Sequence, residues 1–157
     1  MHRIGIGYDI HELKEPGPLK IGGIIIPYEK SLKGHSDGDV VLHAISDAML
    51  GAAAKGDIGI FFPPDNAEYR GIDSSIILKK ALSVVMEAGF HVVNIDCVIV
   101  AQKPKLSVYY GTLSGSISKL LDIDASFVSV KAKTNEGLDA TGREEAISAY
   151  AIVLLEN

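Results

Sequence analysis

The chain has 157 residues, enough for one domain with a substantial core, and its apolar runs fall far short of the roughly 20 residues that cross a bilayer. Fifteen Lys and Arg against twenty Asp and Glu leave a net charge of −5 and no basic run, which excludes a typical nucleic-acid binder but leaves room for a small phosphorylated ligand. The single cysteine, Cys97, lies in the apolar run IDCVIVA, which rules out an intrachain disulfide and reads as an inert buried thiol in a reducing compartment.

In chain order, residues 3–11 alternate as a strand, with Ile4, Ile6, Tyr8 and Ile10 on one face and Gly5, Gly7, Asp9 and His11 on the other. No apolar signal-peptide core interrupts that alternation. LKIGGIIIP (19–27) reads as a second strand, a hairpin partner of the first. Helices are predicted over 38–54 and 74–88, the second opened by Asp73 or Ser74 and closed by Gly89, with GDIGIFFPPDN as a loop between them. A buried strand VVNIDCVIVA, a helix over 106–123 weakened by Gly111 and Gly115, and strands FVSVKAK and AISAYAIVLLE follow, the last two separated by the polar loop TNEGLDATGR. The order ββααβαββ predicts an α/β (α+β) sandwich, a mixed β-sheet with helices on one face, in a single domain over 1–157. The last strand is apolar almost throughout, so a neighbouring subunit is expected to cover the sheet face that helices leave open.

One helix carries a charged stripe. Asp39, His43 and Asp47 recur at spacing four among apolar neighbours, and burying them unpartnered would cost several kcal/mol. Internal hydrogen bonds or solvent exposure would satisfy the stripe. So would a metal: Asp9 and His11, at i and i+2 on one strand face, would join His43 in a set of two imidazoles and one carboxylate that suits zinc with an open fourth position. Asp39 or Asp47 would then orient an imidazole through its other nitrogen. Three loops allow two readings each. Asp57 and Gly59 take substrate hydroxyls or make an ordinary helix end, and AQKPKL presents backbone groups to a planar base or is a plain strand exit. Lys131, Lys133, Thr134, Glu136 and Arg143 hold phosphate and a second metal, or form a solvated turn.

RIGIGYDIH, IGGIIIPYEKSLKGHSDGDVVLHAISDAMLGAAAKGDIG, AQKPKL and VKAKTNEGLDATGREEAI, in that order, closely resemble the 2-C-methyl-D-erythritol 2,4-cyclodiphosphate synthase family across almost the whole chain. The resemblance implies a homotrimer with sheets packed about the threefold axis and active sites between subunits. It also implies a phosphorus-oxygen lyase of non-mevalonate isoprenoid biosynthesis. In that reaction the 2-phosphate of 4-diphosphocytidyl-2-C-methyl-D-erythritol 2-phosphate attacks the β-phosphorus and expels CMP. By position, the resemblance makes Asp9, His11 and His43 zinc ligands and Glu136 a ligand of Mg²⁺ or Mn²⁺ at the diphosphate. His35 and Ser36 match phosphate contacts, and His35 and Thr134 the pair that stabilises the transition state. Asp57 and Gly59 match contacts to the erythritol, and Ala101 to Ser107, with Pro104, Lys105 and Leu106, the cytidine pocket. Lys133, Asn135 and Arg143 fall in or beside the same binding loop. The chain departs from the family at FPPDN, where Phe62 and Asp65 stand in a loop often written FPDTD, at Lys133 where Thr is common, and at Ala140 in place of a bulky aromatic. The implied compartment is a bacterial cytoplasm, or a plastid stroma after removal of a transit peptide. The rival readings are a zinc-dependent hydrolase of a nucleotide diphosphate and a non-catalytic trimeric nucleotide-binding protein.

Overall fold

The computed structural model describes residues 1–157. The strands are β1 (His2–Lys14), β2 (Leu19–Ile21), β3 (Ile24–Ile26), β4 (Ser31–Lys33), β5 (His91–Val100), β6 (Val128–Lys133) and β7 (Ala146–Glu156). The helices are α1 (Val40–Ala52), α2 (Ile58–Phe61), α3 (Ser74–Glu87), α4 (Tyr110–Leu121) and α5 (Asp139–Gly142). Five strands form one sheet in the order β4-β1-β7-β5-β6. Only β5 and β6 run parallel, joined by the α4 crossover, so the sheet is mixed as expected.

The alternation of β1 continues across the sheet. Gly7, Ala151, Cys97 and Val130 form one register row whose side chains face the helix layer and are buried. Burial there pushes the Cys97 thiol up to about 12, which keeps it protonated and unreactive. The next row, Tyr8 and Tyr150, faces the other way, with ring centroids 4.8 Å apart. Together with Ile4 (73% exposed), Ile6 (69%), Ile10 and Ile152 they make an apolar sheet face that nothing in the single chain covers.

The small residues of β1 set how closely α1 can approach. A Cβ on Gly5 or Gly7 would lie 1.9 Å from the carbonyl oxygen of Ala48 or Ala44, so the helix packs backbone against backbone on this strand. That contact fixes His43, beside Ala44, over Asp9 and His11. Gly7→Ala is therefore expected to push α1 off the strand and to cost about 3 kcal/mol through overpacking. Thermal unfolding should show a midpoint lower by about 10 °C; a change within 2 or 3 °C would mean that the helix has slack.

Two expectations require correction. LKIGGIIIP is not one strand and does not pair with β1: β2 and β3 pair only with each other, through a two-residue turn at Gly22 and Gly23. Both glycines have positive φ (+60° and +77°), and two three-residue strands joined by such a pair fold back on themselves. The edge partner of β1 is instead β4, three residues in a stretch for which no element is predicted. The segments GDIGIFFPPDN and TNEGLDATGR, read as loops, each contain one helical turn, α2 and α5. The predicted helix over 106–123 opens with a 3₁₀ turn at Leu106–Tyr109 and ends at Leu121, where Asp122 turns left-handed. Asp73 caps α3 by accepting from Ser75 N.

Candidate metal centre and substrate cleft

Asp9 and His11 point from the helix-facing side of β1 toward His43 in the first turn of α1. The Asp9 Oδ2 atom lies 2.9 Å from His11 Nε2 and 2.8 Å from His43 Nδ1, and those two nitrogens are 3.1 Å apart. Burial alone would raise the Asp9 carboxyl, but the His11 and His43 rings beside it hold it at about 2. It is an anion at any physiological pH. Three potential ligand atoms thus converge, a carboxylate oxygen and two ring nitrogens that each carry a lone pair when the ring proton sits on the other nitrogen. Ligand atoms of a tetrahedral ion with bonds of about 2.0–2.1 Å stand about 3.3 Å apart, so this triangle need open by only a few tenths of an ångström. The donor set and its spacing fit a divalent cation.

The triad lies at the base of a cleft of about 270 Å³. His35, Ser36, Gly59, Phe62 and Asp65, all expected site residues, line it. So do Asn66, Tyr69 and Arg70, which sequence reasoning passed over; Arg70 is the one Lys or Arg in the lining. Their loop is stitched to the His35 segment by Gly71 N donating to His35 O (2.6 Å) and Asp37 N to Ile72 O (3.0 Å). Phe62 and Tyr69 meet edge to face at 5.1 Å to form its apolar wall. In FPPDN, Asp65 supplies the carboxylate that faces the cleft.

Neither Asp39 nor Asp47 orients an imidazole, contrary to expectation. Asp39 is the fully buried N-cap of α1, accepting from Leu42 N (3.1 Å) and from Gly22 N (2.8 Å) and Gly23 N (2.7 Å) at the β2–β3 turn. Its carboxylate is the counterpart of the two-glycine turn. Asp47 accepts from Ile58 N (2.8 Å) and so anchors α2, whose own cap is Asp57, accepting from Ile60 N at 3.2 Å. Asp57 lies beside the cleft without lining it. The far nitrogen of His43, Nε2, contacts the hydroxyls of Ser36 and Ser74 instead, each at 2.9 Å.

The remaining predicted residues stand apart. Ala101, Pro104, Lys105 and Leu106 follow β5, while Lys133, Thr134, Asn135 and Glu136 close β6 and the turn behind it; none lines the cleft. The register runs from Asp9 through Ala149 and Ile99 to Ala132, so both groups occupy one end of the sheet. From β1 the β5 exit is two strand spacings away, about 10 Å, and the β6 exit three, about 14 Å. Ala101 N donates to Lys133 O (2.9 Å), which joins the two exits into one rim. Beyond it Glu136 is left-handed (φ +51°), and Asn135 holds the turn by donating to Asp139 (2.7 Å) and Thr141 (2.9 Å). Arg143 is engaged in a two-point ion pair with Glu145, both contacts 3.1 Å.

The YgbB family profile matches residues 2–156. This chain belongs to the YgbB family. A YgbB relative from Clostridium botulinum (strain Okra / Type B1), named 2-C-methyl-D-erythritol 2,4-cyclodiphosphate synthase, is 50% identical over 154 residues, 98% of this chain and 99% of its own length. A Geobacillus protein (strain WCH70) of the same name is also 50% identical, over 156 residues and 99% of both chains. The solved structure of a synthase of that name in its CDP-bound form superposes with a TM-score of 0.90 at 36% identity, covering 98% of this chain and 100% of the other. No helix in this YgbB chain is long and apolar enough to cross a membrane.

Proposed function

We propose that the chain makes 2-C-methyl-D-erythritol 2,4-cyclodiphosphate, the product for which its relatives are named, from 4-diphosphocytidyl-2-C-methyl-D-erythritol 2-phosphate, in isoprenoid precursor biosynthesis in a bacterial cytoplasm. An oxygen of the 2-phosphate bonds to the β-phosphorus, the bridge between the α and β phosphates breaks, and CMP leaves with the bridging oxygen. Both reacting groups are anionic, so the site must hold them in line and offset the charge that builds between them. The observation that carries this reading is the Asp9, His11 and His43 triangle, with edges of 2.8 to 3.1 Å, at the base of a cleft lined by His35 and Ser36.

In this reading Asp9, His11 and His43 hold zinc and Glu136 holds Mg²⁺ or Mn²⁺. The bound cations supply Lewis-acid withdrawal of charge from the diphosphate. His35 and Ser36 donate to phosphate oxygens, Arg70 adds the cleft's one permanent cation, and Asp57 and Gly59 meet the erythritol hydroxyls. The rim formed by Ala101 to Ser107 with Lys133 to Glu136 takes the cytidine and its phosphates. That rim stands about 10–14 Å from the triad's strand within one chain, two to three strand spacings away. A homotrimer in which the rim of one copy faces the cleft of the next reunites the two halves, bringing Thr134 opposite His35. The uncovered apolar face of Ile4, Ile6, Tyr8, Ile10 and Ile152 supports the same assembly.

Purified protein incubated with the substrate should release CMP only when divalent metal is present, measured by chromatography of the nucleotide. Full-rate release after exhaustive chelation would sink the metal's part in the reaction.

A further inference from the structure

One hydrogen bond behind His43 has a fixed direction. Ser74, the first residue of α3, is fully buried, and its Oγ contacts His43 Nε2 (2.9 Å), Ser36 Oγ (3.3 Å) and a carboxylate oxygen of Asp37. A carboxylate only accepts, so the Ser74 hydroxyl donates to Asp37 Oδ1 and has only lone pairs left for its other neighbours. The other Asp37 oxygen accepts from Ser74 N (3.1 Å) and lies 2.5 Å from Lys20 Nζ. Burial works against ionising Asp37, yet Lys20 and Ser74 hold its carboxyl below the ordinary range, so it stays an acceptor.

We infer that Lys20, Asp37 and Ser74 form a relay that assigns the proton of His43 to Nε2 and leaves the Nδ1 lone pair facing Asp9 and His11. Three elements that share no sequence neighbourhood, β2, the loop before α1 and the start of α3, thereby set one ligand's tautomer. With Ser74 committed to Asp37, only Ser36 can supply the proton in the contact between the two hydroxyls. These are positioning residues: none lies among the three ligand atoms. The relay rests on the metal site proposed above, and it assigns to Asp37 and Ser74 the task that the sequence pattern gave to Asp39 and Asp47.

Asp37→Asn tests the direction directly, because it keeps the shape and reverses one end. The position of Oδ2 faces two donors, Lys20 Nζ and Ser74 N, so the amide oxygen must take that place and the amide NH₂ must face Ser74 Oγ. Ser74 would then turn its own proton toward Nε2 of His43 and favour a proton on Nδ1, where it competes with metal. Zinc affinity, measured by competition with a chromophoric chelator, should fall about 10–100-fold in Asp37→Asn, the usual effect of losing a ligand's outer hydrogen bond. Ser74→Ala should lose less, since Ser36 still accepts from Nε2, and Asp37→Asn added to Ser74→Ala should cause no further loss. In zinc-loaded, ¹⁵N-labelled protein the Nε2–H proton resonance of His43 should move upfield in Asp37→Asn, which a helix-capping role for Asp37 would not produce. Affinity within twofold of the unaltered protein, or the same loss in the Ser74→Ala background, would overturn the relay. Unaltered protein that takes up no zinc would instead overturn the metal site, and the relay with it.

Discussion

His43→Ala is expected to lower the rate of CMP release about a thousandfold while leaving the fold and assembly intact. Lewis-acid stabilisation of a phosphoryl transfer is worth several kcal/mol, and each ~1.4 kcal/mol is a factor of ten. The loss should be this large because His43 joins two networks, with Asp9 and His11 at Nδ1 and with Ser36 and Ser74 at Nε2. Removing the ring leaves Asp9 and His11 as a two-point site and frees the Ser36 hydroxyl from its neighbour. The side chain is not a pillar of the core: the packing that holds α1 comes from Val40, Val41, Ala44, Ile45 and Ala48. Melting within a few degrees of the unaltered protein together with lost turnover is the expected pair of results. Turnover retained within tenfold would exclude His43 as a ligand that matters to the reaction.

Ile6→Lys should have the other large effect, at the assembly. Ile6 lies on the uncovered sheet face between Ile4 and Tyr8, and a buried isoleucine is worth about 1.5–3 kcal/mol. Placing an ammonium there adds a desolvation cost of several kcal/mol, and symmetry repeats it in every subunit. Sedimentation of the unaltered protein should give three times the 16.7 kDa of one chain, and Ile6→Lys should sediment as one chain. The variant should also lose turnover although every triad residue is present, because in the proposed assembly the rim of one copy would no longer face the cleft of another. An active monomer would contradict the shared site.

The alternation of β1 was legible because a strand's period of two leaves no other way to place Ile4, Ile6, Tyr8 and Ile10 together, and it put Asp9 and His11 on the helix side. The third member of the triad followed from His43's position in an apolar helix. What surrounds it was not legible. Asp39 stands at helical spacing from His43, yet its partners are the amides of Gly22 and Gly23, which only the fold brings near. The signal for that turn was present in the sequence: two glycines between the short runs LKI and III mark a hairpin more readily than one strand. Ser74 looked like a capping residue, and Asp73 performs that task, which leaves the Ser74 hydroxyl free to meet His43. Arg70, Tyr69 and Asn66 gave no periodic signal, since a cleft wall built from one 3₁₀ turn and its flanks has none. The gap of about 10–14 Å between triad and rim depends on strand order, where β7 and β5 intervene between β1 and β6, and order is set by pairing across the whole chain.

The most direct test of the central claim is the fate of the β-phosphate when the substrate is turned over in ¹⁸O-water with Zn²⁺ and Mg²⁺, followed by ³¹P NMR and mass spectrometry. Intramolecular attack predicts a cyclic diphosphate and CMP, neither carrying solvent oxygen. A linear phosphorylated product labelled with ¹⁸O would mean that the triad activates water, and the chain would be a hydrolase.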